Sequence, residues 1–353
     1  MRVLAISQSE LTSGLAKLAD SYKLFGPVKE RDQVNFAPLK KGQAPELSFS
    51  NTRLSAKGVV YPQSEKMFRA NLDPAKEDHH VYKDEAKDYS PRALVGVRPC
   101  DAKALMLVNL NFDNPSYQDP YWVNSYAALT QVGLACTNPC PSCFCTSTGS
   151  GPHDTRGLDV LLVPADGGYL ARVLTEKGEK LAAAAGWAKE AEEGVEDKLA
   201  ALAKEAESKV TATITTDKLA SKVTLPLYEA PFWEDVSFSC INCGTCTFLC
   251  PTCWCFDIQD ETCGTECVRY KNWDSCMFPL FTIHGSGHNP RGTKLHRVRQ
   301  RFLHKLKYFL DKYDQGIMCV GCGRCIRQCP VNIDIRRVAG LMNEYQTAEK
   351  CEI

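Results

Sequence analysis

The chain has 353 residues, which is enough for two or three domains with cores of their own. Its 42 Lys and Arg balance its 42 Asp and Glu, so the charge favours neither nucleic acid nor an anionic membrane surface as a partner. No apolar stretch reaches the roughly 18 residues of a membrane span, and the N-terminus turns polar too early for a signal peptide. We therefore expect a cytoplasmic protein. Its 19 cysteines stand mostly at metal-binding spacing, and such thiols and clusters oxidise readily, which indicates an anaerobic setting.

The first part of the chain, residues 1–230, is predicted to form an α/β domain. Short apolar runs at 93–97, 131–135 and 158–163 are typical of buried strands. A helix is expected from Asp101 to Leu110, with the Asp101 side chain as its cap.

A second helical region is predicted over residues 176–209, which are rich in Ala, Glu and Lys. Gly186 and Gly194 are the expected breaks. The charges of this stretch favour a solvated face, and an acidic docking surface is the alternative.

A group of four cysteines follows the second predicted strand: Cys136, Cys140, Cys143 and Cys145. Cys100 lies between the first predicted strand and the helix after it. Ligand sites in α/β folds gather where strands end, so the two segments are expected to meet at one edge of the sheet. The helix N-terminus would favour the thiolate form of Cys100. Four of these thiolates could hold one [4Fe–4S] cluster, while buried free cysteines or a zinc site are the alternatives.

Two cysteine runs of one form stand near the C-terminus, in a domain predicted to cover residues 231–353. They read Cys240-x2-Cys243-x2-Cys246-x3-Cys250-Pro251 and Cys319-x2-Cys322-x2-Cys325-x3-Cys329-Pro330. In this pattern three thiolates bind one [4Fe–4S] cluster and the cysteine before proline binds the neighbouring one. The prediction is two clusters with crossed ligands: Cys240, Cys243, Cys246 and Cys329 for one, and Cys319, Cys322, Cys325 and Cys250 for the other. A zinc ribbon, the alternative, needs only two CxxC pairs and has no use for the remaining cysteines.

The segment between the two runs is too long for a small ferredoxin and contains a predicted amphipathic helix. Its apolar residues recur at helical spacing: Leu295, Val298, Phe302, Leu306, Phe309 and Tyr313. Its cations occupy the other faces: Arg297, Arg299, Arg301, Lys305 and Lys307. A solvated basic face is favoured, and a dock for an acidic electron-transfer partner is the alternative. The predicted fold class is thus α+β, an N-terminal α/β domain followed by a mainly helical dicluster ferredoxin domain.

Several strings in the chain resemble one family of iron–sulfur proteins. They are Gly96-Val97-Arg98-Pro99-Cys100-Asp101, Asp119-Pro120-Tyr121, Cys143-Phe144-Cys145-Thr146-Ser147, Cys240-Ile241-Asn242-Cys243-Gly244-Thr245-Cys246, Cys250-Pro251-Thr252-Cys253-Trp254-Cys255-Phe256 and Trp273-Asp274-Ser275-Cys276. Over nearly its whole length the chain resembles the iron–sulfur subunit shared by anaerobic sulfite reductase, cytoplasmic NADP-linked sulfhydrogenases (as their beta subunit) and proteins beside heterodisulfide-reductase modules.

The resemblance also selects among the N-terminal cysteines. In that family the cysteine matching Cys140 is not a fixed feature, whereas the other four recur. The resemblance therefore implies that a third [4Fe–4S] cluster is held by Cys100, Cys136, Cys143 and Cys145. Five further cysteines are expected to be buried without a ligand, with cluster support or another metal as alternatives: Cys253, Cys255, Cys263, Cys267 and Cys276. Cys351 is expected to be an exposed thiol.

The sequence contains no dinucleotide fingerprint, P-loop, Ser/His/Asp set or HExxH zinc motif. The prediction is therefore an electron-transfer subunit that is not an enzyme by itself. The resemblance implies two partners in a hetero-oligomer. One is an FAD-containing subunit that oxidises NAD(P)H, and the other is a catalytic redox subunit of hydrogenase, sulfite reductase or heterodisulfide-reductase type. The alternative is a catalytic oxidoreductase whose N-terminal domain binds flavin or substrate. A purely structural metal scaffold is hard to reconcile with two full cysteine runs.

Overall fold

A computed structural model describes residues 2–346 of the chain, so Cys351 lies outside the described residues. The strands are β1 Arg2–Ser7, β2 Lys23–Glu30, β3 Gln33–Pro38, β4 Ser64–Asn71, β5 Lys83–Asp84, β6 Arg92–Val97, β7 Asp113–Asn114, β8 Tyr117–Gln118, β9 Leu129–Leu134, β10 Val160–Ala165, β11 Gly168–Val173, β12 Phe256–Cys263 and β13 Glu266–Trp273. The helices are α1 Gln8–Leu18, α2 Pro99–Phe112, α3 Pro120–Ala127, α4 Glu176–Ala185, α5 Val195–Ser208, α6 Thr224–Tyr228, α7 Phe232–Phe238, α8 Thr245–Phe248, α9 Lys294–Leu303, α10 Phe309–Tyr313, α11 Arg324–Arg327 and α12 Ile335–Glu344.

The N-terminal domain is built on a seven-stranded sheet with the order β1-β11-β10-β9-β6-β2-β3. Its four central strands, β10, β9, β6 and β2, run parallel, and the outer strands pair antiparallel. One face is covered by α1 and α4, and the other by α2, α3 and α5. Because the parallel strands are buried on both faces, their sequences are almost continuously apolar.

A second sheet of four strands, β12-β13-β4-β5, joins distant parts of the chain. The hairpin of β12 and β13 lies between the two cysteine runs in sequence, yet β13 pairs antiparallel with β4 of the N-terminal half. The hairpin therefore ties the cysteine-rich region to the N-terminal domain through backbone hydrogen bonds.

The structure confirms the predicted α+β class. The three apolar runs form β6, β9 and β10, and the region 176–209 forms α4 and α5 with Gly186 and Gly194 at the break. The Asp101 cap is wrong, because α2 begins at Pro99 after Arg98, and Asp101 in its first turn accepts hydrogen bonds from Arg324 instead. No helix within residues 2–346 is long and apolar enough to cross a membrane.

The predicted amphipathic helix between the two runs is present as α9, a π-helical turn at His304–Tyr308, and α10. The first four of its predicted apolar residues pack into the core of the C-terminal region around Trp233 and Met342. Phe309 and Tyr313 pack instead with residues of α2 such as Leu107. The predicted solvated basic face is wrong, and so is the basic dock. The five cations predicted to be solvated are all buried: Arg297, Arg299, Arg301, Lys305 and Lys307.

Candidate metal centres

The first cysteine run folds into a loop that closes around a cavity. The cavity is lined by three thiols of this run and two of the other run: Cys240, Cys243, Cys246, Cys325 and Cys329. Gly244, in the left-handed region with a φ of 73°, turns the loop into α8. The backbone N–H groups of Asn242 and Ile333 donate to the sulfurs of Cys240 (3.4 Å) and Cys329 (3.3 Å). The structure thus brings together the four cysteines expected for one cluster, which form the first centre.

The second run forms a similar loop. The thiol of Cys325 in this loop lies within electrostatic reach of three others: Cys319 and Cys322 of the same run, and Cys250 of the first run. Burial raises the pKa of the Cys325 thiol to about 12, Arg301 opposes this shift, and negative charge on the other three thiols adds to it. Burial also raises the pKa of Cys319 to about 11. Metal ligation requires thiolates, so cluster assembly at these four residues, the second centre, must release protons.

The N-terminal cysteines gather at one edge of the seven-stranded sheet. Burial raises the pKa of the Cys145 thiol to about 11, and charge on Cys136 adds to this shift. Cys100 lies in the first turn of α2, where burial, Asp101 and Cys322 hold its pKa well above the usual value. Burial therefore opposes the thiolate form that the place of Cys100 at the helix N-terminus predicts. We refer to the four thiols that the resemblance implies as the third centre: Cys100, Cys136, Cys143 and Cys145.

A fifth thiol, Cys140, lies beside this third centre. A hydrogen bond from Cys143 is the main cause that lowers the pKa of Cys140 to about 5. Five thiols therefore gather where one cluster needs four, and the choice against Cys140 comes from the resemblance alone.

Two comparisons with known proteins bear on these centres. Residues 239–333 match the family model described as a 4Fe-4S dicluster domain. This segment, called the dicluster domain below, is similar to that family. Over 351 residues the whole chain is also 27% identical to sulfhydrogenase 2 subunit beta of Pyrococcus furiosus, covering 98% of this chain and 99% of that relative. No solved structure gives a significant match. The predicted resemblance is confirmed, and so are [4Fe–4S] clusters as cofactors of the chain.

The third centre rests directly on the dicluster domain. The N–H of Phe144 donates to the carbonyl of Gly321 (2.9 Å), and the Cys143 thiol points at the carbonyl of Cys322 (3.8 Å). Gly321 has a φ of 66°, and a Cβ there would lie 2.5 Å from the backbone nitrogen of Cys145. Only glycine therefore lets the third centre approach the loop of the second so closely.

A buried ion pair holds the two loops together. Both terminal nitrogens of Arg324 donate to the carboxylate of Asp101 at 2.6 Å, and the two side chains are each 1% exposed. Arg324 also donates to the carbonyl and hydroxyl of Thr52. Asp101 follows a predicted ligand of the third centre, and Arg324 precedes one of the second. The pair therefore fixes the position of one ligand loop against the other.

Three further buried cations lie within electrostatic reach of cysteine thiols and have no carboxylate partner. Lys305 Nζ donates to the sulfur of Cys250 (3.3 Å) and to the hydroxyl of Thr252 (2.7 Å). Arg301 lies beside thiols of the first and second centres, and its buried Nε has no partner. Lys57 donates to backbone carbonyls and lies 4.0 Å above the ring of Trp273. Within residues 2–346, none of the three forms an ion pair with a carboxylate.

These buried cations test whether the centres suit [4Fe–4S] clusters. An unpaired charge in a protein interior costs several kcal/mol, so Lys57, Arg301 and Lys305 need anions close by. Four thiolates around a cubane supply that negative charge, and the orphaned Arg301 Nε supplies a donor for it. Within the described part of the chain, no three His, Cys, Asp or Glu side chains are placed to hold a single metal ion. The donor set and its surroundings fit clusters.

Sequence reasoning missed these cations because charged residues are seldom buried. One signal was present. Arg297, Arg301 and Lys305 recur every four residues, directly beside the apolar stripe of Val298, Phe302 and Leu306, so both stripes turn toward the protein interior.

Three of the remaining cysteines lie together beside Lys57. A hydrogen bond from Cys276 is the main cause that lowers the pKa of Cys255 to about 7, and Cys253 lies within electrostatic reach of Cys276. In the far part of the β12–β13 hairpin, Cys267 is buried but Cys263 is exposed, so the burial expected for Cys263 is wrong. That these five cysteines bind no metal stays a prediction.

Proposed function

We propose that this chain is an electron-transfer subunit that holds three [4Fe–4S] clusters, one in each centre. The observation that carries the proposal is the direct contact between the third centre and the loop of the second, through Phe144 and Gly321. Such clusters transfer one electron at a time. The first and second centres exchange ligands, so all three are contiguous. In this proposal residues 1–230 carry the third centre, and residues 231–353 carry the other two.

The two ends of this row of centres support contacts with two different partners. At the first centre Cys243 is exposed, and the neighbouring Phe238 and Ile241 are 82% and 62% exposed. Exposed apolar side chains of this size mark surfaces where proteins associate. At the other end, Cys136 adjoins a cleft lined by Thr137 and Asn138, at the carboxyl ends of β9 and β10. The second centre lies between these surfaces.

The proposed partners follow the resemblance. The relative's name, subunit beta of a sulfhydrogenase, supports a hetero-oligomer with a catalytic redox subunit. At one end of the row we place an FAD-containing subunit that oxidises NAD(P)H. A catalytic subunit of hydrogenase, sulfite reductase or heterodisulfide-reductase type takes the other end.

Iron content tests the third centre. Anaerobically reconstituted protein should contain about twelve irons per chain with three clusters and about eight with two. A Cys143→Ser variant should lose about four irons and one spectroscopic centre and keep the other two. Cys140→Ser is the matched control, because it removes the neighbouring thiol and should leave the iron content unchanged. If Cys140→Ser loses iron and Cys143→Ser does not, Cys140 replaces Cys143 as the ligand. If neither variant loses iron, the proposal of a third cluster is wrong.

Electron donors test the role of the whole chain. The isolated protein should be reduced by dithionite but should not oxidise NADH or NADPH, because it has no recognisable nucleotide site. Adding the flavin subunit should restore reduction by the nucleotide. Stopped-flow absorbance at the cluster bands measures both reactions, and rapid NADPH oxidation by the isolated chain would contradict the proposal.

A second candidate function is a catalytic oxidoreductase that binds flavin or substrate in its N-terminal domain. The cleft beside Cys136 favours it, since ligands of α/β folds bind at the carboxyl ends of parallel strands. Arg98 and Phe49 line this cleft, with the guanidinium stacked 4.3 Å from the ring centre. Stoichiometric flavin in the purified chain would select this function.

A further inference from the structure

The second centre has a cation of its own. Lys305 lies in the π-helical turn between α9 and α10, is almost fully buried, and hydrogen-bonds to the sulfur of Cys250. It also lies within electrostatic reach of Cys319, another thiol of that centre. The charge of Lys305 therefore acts mainly on the second centre, from inside a region that excludes water.

The other buried cations near the centres lie between two centres, are paired with a carboxylate, or donate to backbone carbonyls. Arg301 lies between the first and second centres, beside Cys246 and Cys325. Arg324 lies between the second and third, but its charge is balanced by Asp101. Arg98 lies near the thiols of the third centre, but its guanidinium donates to the backbone carbonyls of Leu134 and Ala135 and not to a sulfur. Within residues 2–346, the second centre is thus the one with a predicted ligand sulfur that accepts a hydrogen bond from a buried cation, Lys305.

We propose that Lys305 raises the reduction potential of the second centre, so that this middle cluster is the first of the three to be reduced. Adding an electron makes a cluster more negative, and a buried cation stabilises that reduced form more than the oxidised one. A hydrogen bond to a ligand sulfur acts in the same direction. The inference rests on the proposed function and adds an order of reduction to it. The second centre, between the two partner surfaces, would then hold an electron before either of the other two centres does.

The test is a redox titration of the reconstituted full chain, followed by electron paramagnetic resonance. Lys305→Met should lower the ratio of reduced to oxidised second centre at a fixed ambient potential by about tenfold or more. A tenfold change corresponds to about 59 mV for a one-electron couple. Lys305→Gln, which keeps an N–H donor without the charge, should show most of the same shift.

Lys307→Met is the matched control. Lys307 is buried in the same helical turn, but its Nζ is bound to Asp311 (2.8 Å) and to the carbonyl of Ala220 (3.3 Å), with no sulfur among its partners. Its loss should leave all three potentials unchanged. A Cys322→Ser variant identifies which signal belongs to the second centre, because it alters a ligand of that centre alone.

The outcomes separate this inference from the proposed function. Unchanged iron content with an unshifted second centre in Lys305→Met would overturn the inference, and so would an equal shift of all three centres. If both Lys305 variants lose iron, the order of reduction is read from the wild-type titration. The inference then requires that the first signal to appear is the one that Cys322→Ser alters. The iron count of the wild-type chain tests the three clusters independently of any potential.

Discussion

An Arg324→Met variant is expected to lose about 3–5 kcal/mol of unfolding free energy. The substitution removes the guanidinium that binds Asp101 through two hydrogen bonds of 2.6 Å and leaves that carboxylate buried without its hydrogen-bonded cation. Because Asp101 belongs to the N-terminal domain and Arg324 to the dicluster domain, the loss should also separate the two ligand loops. Anaerobic denaturant unfolding of the reconstituted protein, followed by cluster absorbance and intrinsic fluorescence, measures the change.

Two controls isolate the buried charge as the cause. The double variant Arg324→Met with Asp101→Asn removes both charges and should recover part of the lost stability, since no unpaired ion remains. Arg336→Met removes a partly exposed arginine paired with Asp334 (2.6 Å) and should cost about 1 kcal/mol or less. A double variant as unstable as Arg324→Met alone would show that the cost comes from packing instead of the unpaired carboxylate.

The features that sequence predicted are those set by local pattern. A parallel strand buried on both faces is apolar throughout, which is why β6, β9 and β10 could be predicted from short runs. Gly186 and Gly194 adopt positive φ at the break between α4 and α5, a conformation that favours glycine. Cysteine spacing is equally local, so both loops of the dicluster domain could be identified from the order of residues alone.

The features that sequence missed depend on contacts between distant segments. Nothing in a single sequence pairs β4 with β13, or Arg324 with a carboxylate 223 residues away. The cations of α9 and the following turn were predicted to be solvated because an isolated cation avoids the interior. Arg301 and Lys305 are buried beside thiols from both cysteine runs, and Lys307 is buried against Asp311. The partners of Arg301 and Lys305 come together only in the folded chain.

The contact between the second and third centres depends on Gly321, and Gly321→Ala should break it. The added Cβ would lie 2.5 Å from the nitrogen of Cys145 and 2.6 Å from the carbonyl carbon of Phe144, so a backbone segment must move. Gly316→Ala is the matched control, since Gly316 also has a positive φ (75°) but nothing within 4 Å of the added atom.

We expect Gly321→Ala to cost about 1–3 kcal/mol more unfolding free energy than this control, because overpacking against backbone cannot relax through a side chain. The magnetic coupling between the second and third centres in the electron paramagnetic resonance spectrum of the fully reduced protein should weaken in Gly321→Ala and persist in Gly316→Ala. Unchanged coupling together with unchanged stability in Gly321→Ala would mean that the N-terminal cysteine loop does not contact the dicluster domain at this glycine. The second and third centres would then not be adjacent, which would contradict the proposed row of three centres.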